Sequence, residues 1–222
     1  MCGRFTLRSS GEAVAEAFGL AETPDLFPRF NIAPCQPVAV VRHEPRAEGR
    51  ELALLRWGLI PPWADDPSVG DRLANARSET AATKPSFRRA FRSRRCLVVA
   101  DGFYEWRRTN GRKQPYFVGL RGDRPFGLAG LWERWEKGGE PVESCTILTT
   151  DANELMQPIH ERMPVIVPPD QYGLWLDPRC QDSEKLAKLL RPFPAEGMLA
   201  YRVSTLVNDP RNDVPQCVEA IR

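Results

Sequence analysis

Between Cys96 and Leu120 the chain reads as consecutive sheet, and this run limits the fold more than any other. Cys96 to Ala100 is wholly apolar, as suits a strand covered on both faces. Asp101-Gly102 turns it into Phe103-Tyr104-Glu105-Trp106, and Asn110-Gly111 signals a hairpin into a strand from Pro115 to Leu120. Further strands are expected at Phe5–Leu7, Pro37–Arg42, Glu51–Trp57, Pro125–Leu128, Val142–Thr149, Val165–Val167 and Leu199–Val203. A polar loop around Glu44–Arg50 joins the second and third of these. Helical signals are short by comparison. Ser10 can cap a helix carrying Ala13, Val14, Ala17 and Phe18, with Gly19 ending it. Pro85 suits the first turn of a helix through Phe91, and Asp151 can cap one from Ala152 to Met156. Two more are expected near Pro169–Leu176 and Ser183–Leu190. With no repeat or linker, residues 1–222 read as one strand-rich α+β domain.

Composition narrows the chemistry. No apolar run is long enough for a membrane helix, and no signal peptide is apparent, so a cytoplasmic protein is expected. Six scattered cysteines without a CxxC pair, and two histidines distant from them, argue against a zinc site or a disulfide scaffold. Cys96 and Cys145 read as buried small hydrophobes. No metal and no cofactor is expected. Net charge is +2, yet Arg77 to Lys113 holds eleven basic residues against Glu79, Asp101 and Glu105. That segment is +8 and the remainder −6, an asymmetry that points to a polyanion unless the arginines merely solvate a helix face.

Five places carry chemistry. Removal of Met1 makes Cys2 the N-terminus, placing a primary amine and a thiol on one residue. Their reference pKa values, about 7.7–8.0 and 8.5, leave both partly nucleophilic near neutrality. Such a 1,2-aminothiol condenses with an aldehyde to a Schiff base, which the thiol then closes to a thiazolidine in an intramolecular step. Glu105 lies among aromatics, where burial raises a carboxyl pKa and suits a general acid or base; a salt bridge to an arginine is the alternative. Asn75-Ala76-Arg77-Ser78-Glu79, if extended, puts Asn75, Arg77 and Glu79 on one face. His160 stands at a loop-to-strand junction among charges. Trp57-Gly58-Leu59-Ile60-Pro61-Pro62-Trp63 either walls a pocket that stacks a base or pins a loop to the core.

Taken in order, Met1-Cys2-Gly3-Arg4-Phe5, Asn31-Ile32-Ala33-Pro34, Trp57 to Pro61, Asn75 to Glu79, Asp101-Gly102-Phe103-Tyr104-Glu105-Trp106 and His160-Glu161-Arg162-Met163-Pro164 resemble the SRAP family. Its members are named SOS-response-associated peptidases and understood as sensors of abasic sites in single-stranded DNA. The resemblance spans nearly the whole chain. It implies a mixed, barrel-like β core with flanking short helices, and a covalent DNA–protein crosslink through Cys2. It further implies that Asn75 holds the linkage, that Glu105 and His160 are the acid/base pair, and that Arg4 and Arg77 contact phosphate. Trp63, Arg88, Arg89 and Arg162 are added as expected DNA contacts. The family name implies a hydrolase-type, self-directed protease step that removes Met1, and the imine intermediate implies lyase-like chemistry if left open. A monomeric, bacterial-type minimal form that works on DNA damage at the nucleoid is expected.

Two other classes stay open on the residues alone. Met-Cys-Gly also begins N-terminal-nucleophile glutamine amidotransferases, in which the thiol attacks an amide and ammonia is released. A non-catalytic single-strand binder would use Trp63 and the arginines and leave no stable adduct.

Overall fold

The structure, a computed structural model, describes residues 2–43, 49–109 and 111–221. The expected removal of Met1, most of the polar loop Glu44–Arg50 and Asn110 of the hairpin fall outside the described residues. In chain order, β1 (Phe5–Leu7) leads to α1 (Gly11–Phe18), then β2 (Arg29–Ile32), β3 (Pro37–Arg42) and β4 (Glu51–Trp57). β5 (Asn75–Arg77) runs straight into α2 (Ser78–Ala81), followed by α3 (Arg88–Ser93) and β6 (Arg95–Ala100). The long strands come next: β7 (Gly102–Thr109), β8 (Arg112–Leu120), β9 (Phe126–Trp135) and β10 (Val142–Asp151). β11 (Arg162–Pro164), β12 (Ile166–Val167), α4 (Tyr172–Leu176), α5 (Ser183–Leu189) and β13 (Met198–Arg202) complete it.

Strands β3, β4, β10, β9 and β6 pair in a closed ring, a five-stranded mixed barrel in which only β4 and β10 run parallel. Closure removes the edges that would otherwise template aggregation. All six residues of β6 are buried, the pattern its apolar run foretold. A second sheet, ordered β13-β8-β7-β1-β2, lies beside the barrel. β10 is the spine that gathers the functional segments. Beyond the end of β4 it pairs in parallel with β5, Ile147 opposite Asn75, and its last residues pair with β11, Asp151 opposite Arg162.

The α+β class and barrel-like core stand as expected, and Cys96 and Cys145 are fully buried. Four local expectations need correction. Pro85 does not open a helix: Phe87 N–H donates to the Lys84 carbonyl, so proline takes the second place of a turn and α3 starts at Arg88. Asp151 ends β10 and binds Arg162 instead of capping; Asn153 Oδ1 accepts from Met156 N–H and organises turns there. Glu79 is not on the strand face of Asn75 and Arg77, because the chain becomes helical at Ser78. The strand near Pro125–Leu128 runs on to Trp135.

The basic segment also divides. Arg95 is buried and donates to the carbonyls of Phe91, Arg92, Trp175, Asp177 and Cys180, capping the ends of α3 and α4. Arg94 pairs with the buried Glu133 and lies over Trp132. These two cations hold the fold together.

Asp101 anchors the strand that carries the N-terminal residues. Its buried carboxylate accepts from Thr6 Oγ1 at 2.6 Å, Arg8 Nε at 3.1 Å, Ser9 N–H at 2.8 Å and Ser9 Oγ at 2.9 Å. Removing it strands several donors at once. Asp101→Ala is therefore expected to destabilise by about 3 kcal/mol, and Asp101→Asn by less. Urea unfolding of the two variants checks this; a loss below about 1 kcal/mol for Asp101→Ala would assign the anchoring elsewhere.

Candidate functional site

Trp57 couples the two segments that bear Cys2 and Asn75. Its indole meets the Phe5 ring edge-on at 5.1 Å, and its Nε1–H donates to the Ala74 carbonyl at 2.8 Å. The loop between them is tightly set at Gly58, whose φ is 135° and where an added Cβ would lie 2.6 Å from the Gly70 carbonyl oxygen, so no side chain is admitted. Of the two tryptophans in that aromatic stretch, Trp57 is therefore a core pin. Trp63, 54% exposed, faces solvent.

The resulting geometry is compact. Asn75 Nδ2 donates to the Cys2 carbonyl at 2.7 Å, while its buried Oδ1 has no hydrogen-bond partner among the described residues. An orphan acceptor of this kind is costly unless a ligand donor meets it. Cys2 is fully buried, its Sγ 3.9 Å from the Arg4 carbonyl. Burial, followed by the nearby Glu105 carboxylate, pushes the thiol far above its ordinary range. Glu105 is itself buried on β7, which pairs with β1 at Phe5–Phe103. Burial raises its carboxyl above the usual carboxylate range, against the opposing pull of the His160 charge.

Glu105 and His160 line one cleft of about 520 Å³ together with Trp106, Arg108, Lys113 and Asn208. His160 is fixed by two contacts of Nδ1: the Arg162 N–H donates to it at 2.9 Å, and the Arg162 carbonyl lies 3.2 Å away. A neutral ring accepts from the first and a protonated ring donates to the second, so the imidazole keeps a partner in either state.

The expected DNA contacts separate by what their side chains already hold. Arg4 donates to the carbonyls of Val207 at 2.8 Å and Asn208 at 3.4 Å, and to Asn31 Oδ1 at 3.5 Å. Arg162 is gripped by Glu79 at 2.7 and 3.0 Å, Asp151 at 2.7 Å and the Thr149 carbonyl at 2.6 Å. Arg77 is exposed on β5 next to Asn75. Trp63, Arg88 and Arg89 line a separate cleft of about 530 Å³ with Pro62, Pro85 and Glu133.

Sequence reasoning missed the scaffold behind Arg4. Asn31 Nδ2 donates to the carbonyls of Val207, Asp209 and Asn212, and Asp213 accepts from Asn31 N–H. The motif beginning at Asn31 thus bolts the 207–213 segment against the site. The signal was the density of Asn, Asp and Pro in Asn208-Asp209-Pro210-Arg211-Asn212-Asp213, which marks turns with polar side chains to spare.

Fold and site define a class: a mixed β-barrel protein in which Asn75 and Glu105, from separate strands, converge on the second residue of the chain. The chain belongs to the SOS response associated peptidase (SRAP) family, whose model matches residues 1–210. It is 43% identical over 225 residues to the abasic site processing protein YoqW of Bacillus subtilis (strain 168), with 99% of this chain and 100% of that protein covered. To the abasic site processing protein HMCES of Gallus gallus it is 39% identical over 206 residues, covering 82% of this chain and 61% of the relative. A crystal structure of a protein from Bacteroides thetaiotaomicron matches with a TM-score of 0.88 and 28% identity over 100% of both chains. No helix among the described residues is long and apolar enough to cross a membrane. Nor do the described residues contain a group of three metal-ligating side chains.

Proposed function

We propose that this protein processes abasic sites in single-stranded DNA by forming a covalent thiazolidine crosslink through Cys2 once Met1 has been removed. The observation that carries this reading is the convergence on one residue: Asn75 holds the Cys2 carbonyl, the Glu105 charge acts on its thiol, and Glu105 shares a cleft with His160. The relatives named for abasic site processing support the substrate class.

An abasic sugar is a hemiacetal in equilibrium with its ring-opened aldehyde. The Cys2 amine attacks C1′, a proton moves to the departing hydroxyl, and one water leaves as the Schiff base forms. The thiol then adds to the same carbon while its proton passes to nitrogen, closing the five-membered ring. A buried thiol held in its neutral form needs a base at that moment, and we assign that role to Glu105, whose charge acts on the thiol. His160 exchanges protons through Nε2, since Nδ1 is committed to the Arg162 backbone. Asn75 Oδ1 is the acceptor for a donor on the linked amine or sugar. Left open, the imine invites β-elimination and strand breakage; the closed ring removes that route. Removal of Met1 is hydrolysis of one peptide bond, with water consumed, by these same groups.

Arg77 serves as a phosphate contact and Trp63 with Arg88 and Arg89 as a more distant platform for the strand. Arg4 and Arg162, already held by protein groups, act mainly by shaping the site. The decisive experiment is incubation with single-stranded DNA bearing one abasic site, read on a denaturing gel. A heat- and detergent-stable adduct is expected. Release of ammonia from glutamine without an adduct would instead identify an amidotransferase, and binding without an adduct a simple single-strand binder.

Binding should weaken with salt at about −0.7 in log–log slope per phosphate contact. Neutralising Arg77, Arg88 and Arg89 together should flatten that slope by about 2. An unchanged slope in filter-binding titrations would place the strand elsewhere on the surface.

A further inference from the structure

Two cations line the Glu105–His160 cleft without a part in the proposed crosslinking chemistry. Arg108 on β7 and Lys113 on β8 are exposed and line the cleft with Glu105 and His160, and their side chains make no hydrogen bond or ion pair among the described residues. They are directly opposite one another in the hairpin ladder. Like charges facing across an antiparallel pair oppose sheet stability, and opposite charges favour it. An uncompensated arginine–lysine pair at a register position thus breaks a local rule, and such breaches concentrate at functional sites. Trp106, two residues before Arg108 and so on the same strand face, is fixed by its Nε1–H to Asn208 Oδ1 at 2.7 Å. The pair therefore stands at the rim of an ordered wall.

Position singles these two out, since the exposed Arg77 on β5 does not line this cleft. The guanidinium of Arg4 is bound by backbone carbonyls and that of Arg162 by two carboxylates and a carbonyl. Arg88 and Arg89 line the other cleft. Arg108 and Lys113 are the cations that line the Glu105–His160 cleft itself.

We infer that Arg108 and Lys113 form a clamp for a backbone phosphodiester next to the abasic sugar, positioning C1′ over Cys2. This rests on the reading of the site as a single-strand abasic crosslinking centre. Both side chains are positioning residues: they hold the strand and take no part in bond making. Arginine supplies a planar fork for two phosphate oxygens and lysine a mobile point charge.

The test measures adduct formation by the parent, by the double variant Arg108→Ala/Lys113→Ala and by Arg108→Lys. The substrate is a single-stranded oligonucleotide with one abasic site. A matched set carries one uncharged methylphosphonate linkage at successive positions around that site. With the double variant, the second-order rate at low salt should fall about tenfold, and the log–log salt slope should flatten by about 1.4, two contacts' worth. Arg108→Lys should recover most of the rate. One methylphosphonate position should slow the parent by a similar factor and leave the double variant unaffected. The melting temperature of the double variant should be unchanged or raised, since a repulsive pair is removed.

An unchanged rate and slope in the double variant, or methylphosphonate effects identical in parent and variant at every position, would overturn the clamp while leaving the crosslinking chemistry intact. A parent that forms no adduct on the unmodified strand would overturn both.

Discussion

Cys2→Ala should yield no adduct that survives heating in detergent, a complete loss against the parent's accumulation of crosslinked DNA. The alanine variant keeps the amine after Met1 removal, so an imine still forms. It should be captured by borohydride or drain into strand cleavage. Cys2→Ser closes only an oxazolidine, and its adduct should decay far faster than the parent's. A residue locked ahead of Cys2 keeps the thiol but converts the amine to an amide, and should also abolish the stable product. The extended form decides between mechanisms: a thiol-only thiohemiacetal would survive there. A stable adduct from protein shown by mass spectrometry to be unprocessed would sink the aminothiol route.

Glu105→Gln comes second in size. Loss of a general acid or base costs about 10²–10⁴-fold, and the variant should form adduct at least about a hundredfold more slowly while binding intact single strands nearly as well. The stability of the same variant gives an independent reading. Burial raises the Glu105 carboxyl above its ordinary value, so the folded protein binds a proton that the unfolded chain has released over that interval. Stability then falls as pH rises from the ordinary glutamate range, about 4.3, towards the raised native value. Glutamine removes that loss. Glu105→Gln should accordingly be more stable than the parent near neutral pH, with the difference vanishing below about pH 4. Urea midpoints at the two pH values measure it, and a variant less stable than the parent at neutrality would mark Glu105 as a paired structural carboxylate.

What could be read before folding follows the range of the interactions involved. β1, α1 with its Ser10 cap and Gly19 stop, β3, β4 and the hairpin rise from neighbouring residues, so period and turn chemistry were enough. Pro85 misled because the same fixed φ serves a turn and a first helical residue, and only the Phe87-to-Lys84 hydrogen bond separates them. The site residues were visible mainly through their motifs; nothing local announces that Asn75 reaches Cys2, which depends on β10 bringing β5 alongside. Charge density was the weakest guide. Arg95 and Arg77 look alike in sequence, yet one is sunk among carbonyls and the other stands in solvent, a difference set by helix ends contributed from residues near 175.

The hold of the 207–213 segment on Arg4 and Asn31 has a consequence for biosynthesis. Arg4 and Val207 touch across 203 residues of chain. Synthesis delivers Arg4 and Asn31 long before residues 207–213, so the hold on these two side chains forms only after that segment has been made. Contacts of such separation also form late once the chain is free, because a long loop must close before they are made. On the proposed mechanism, full competence to capture an aldehyde waits for that late closure. On that mechanism a nascent chain exposes an ordinary thiol, whereas the folded protein buries it within reach of the Glu105 charge.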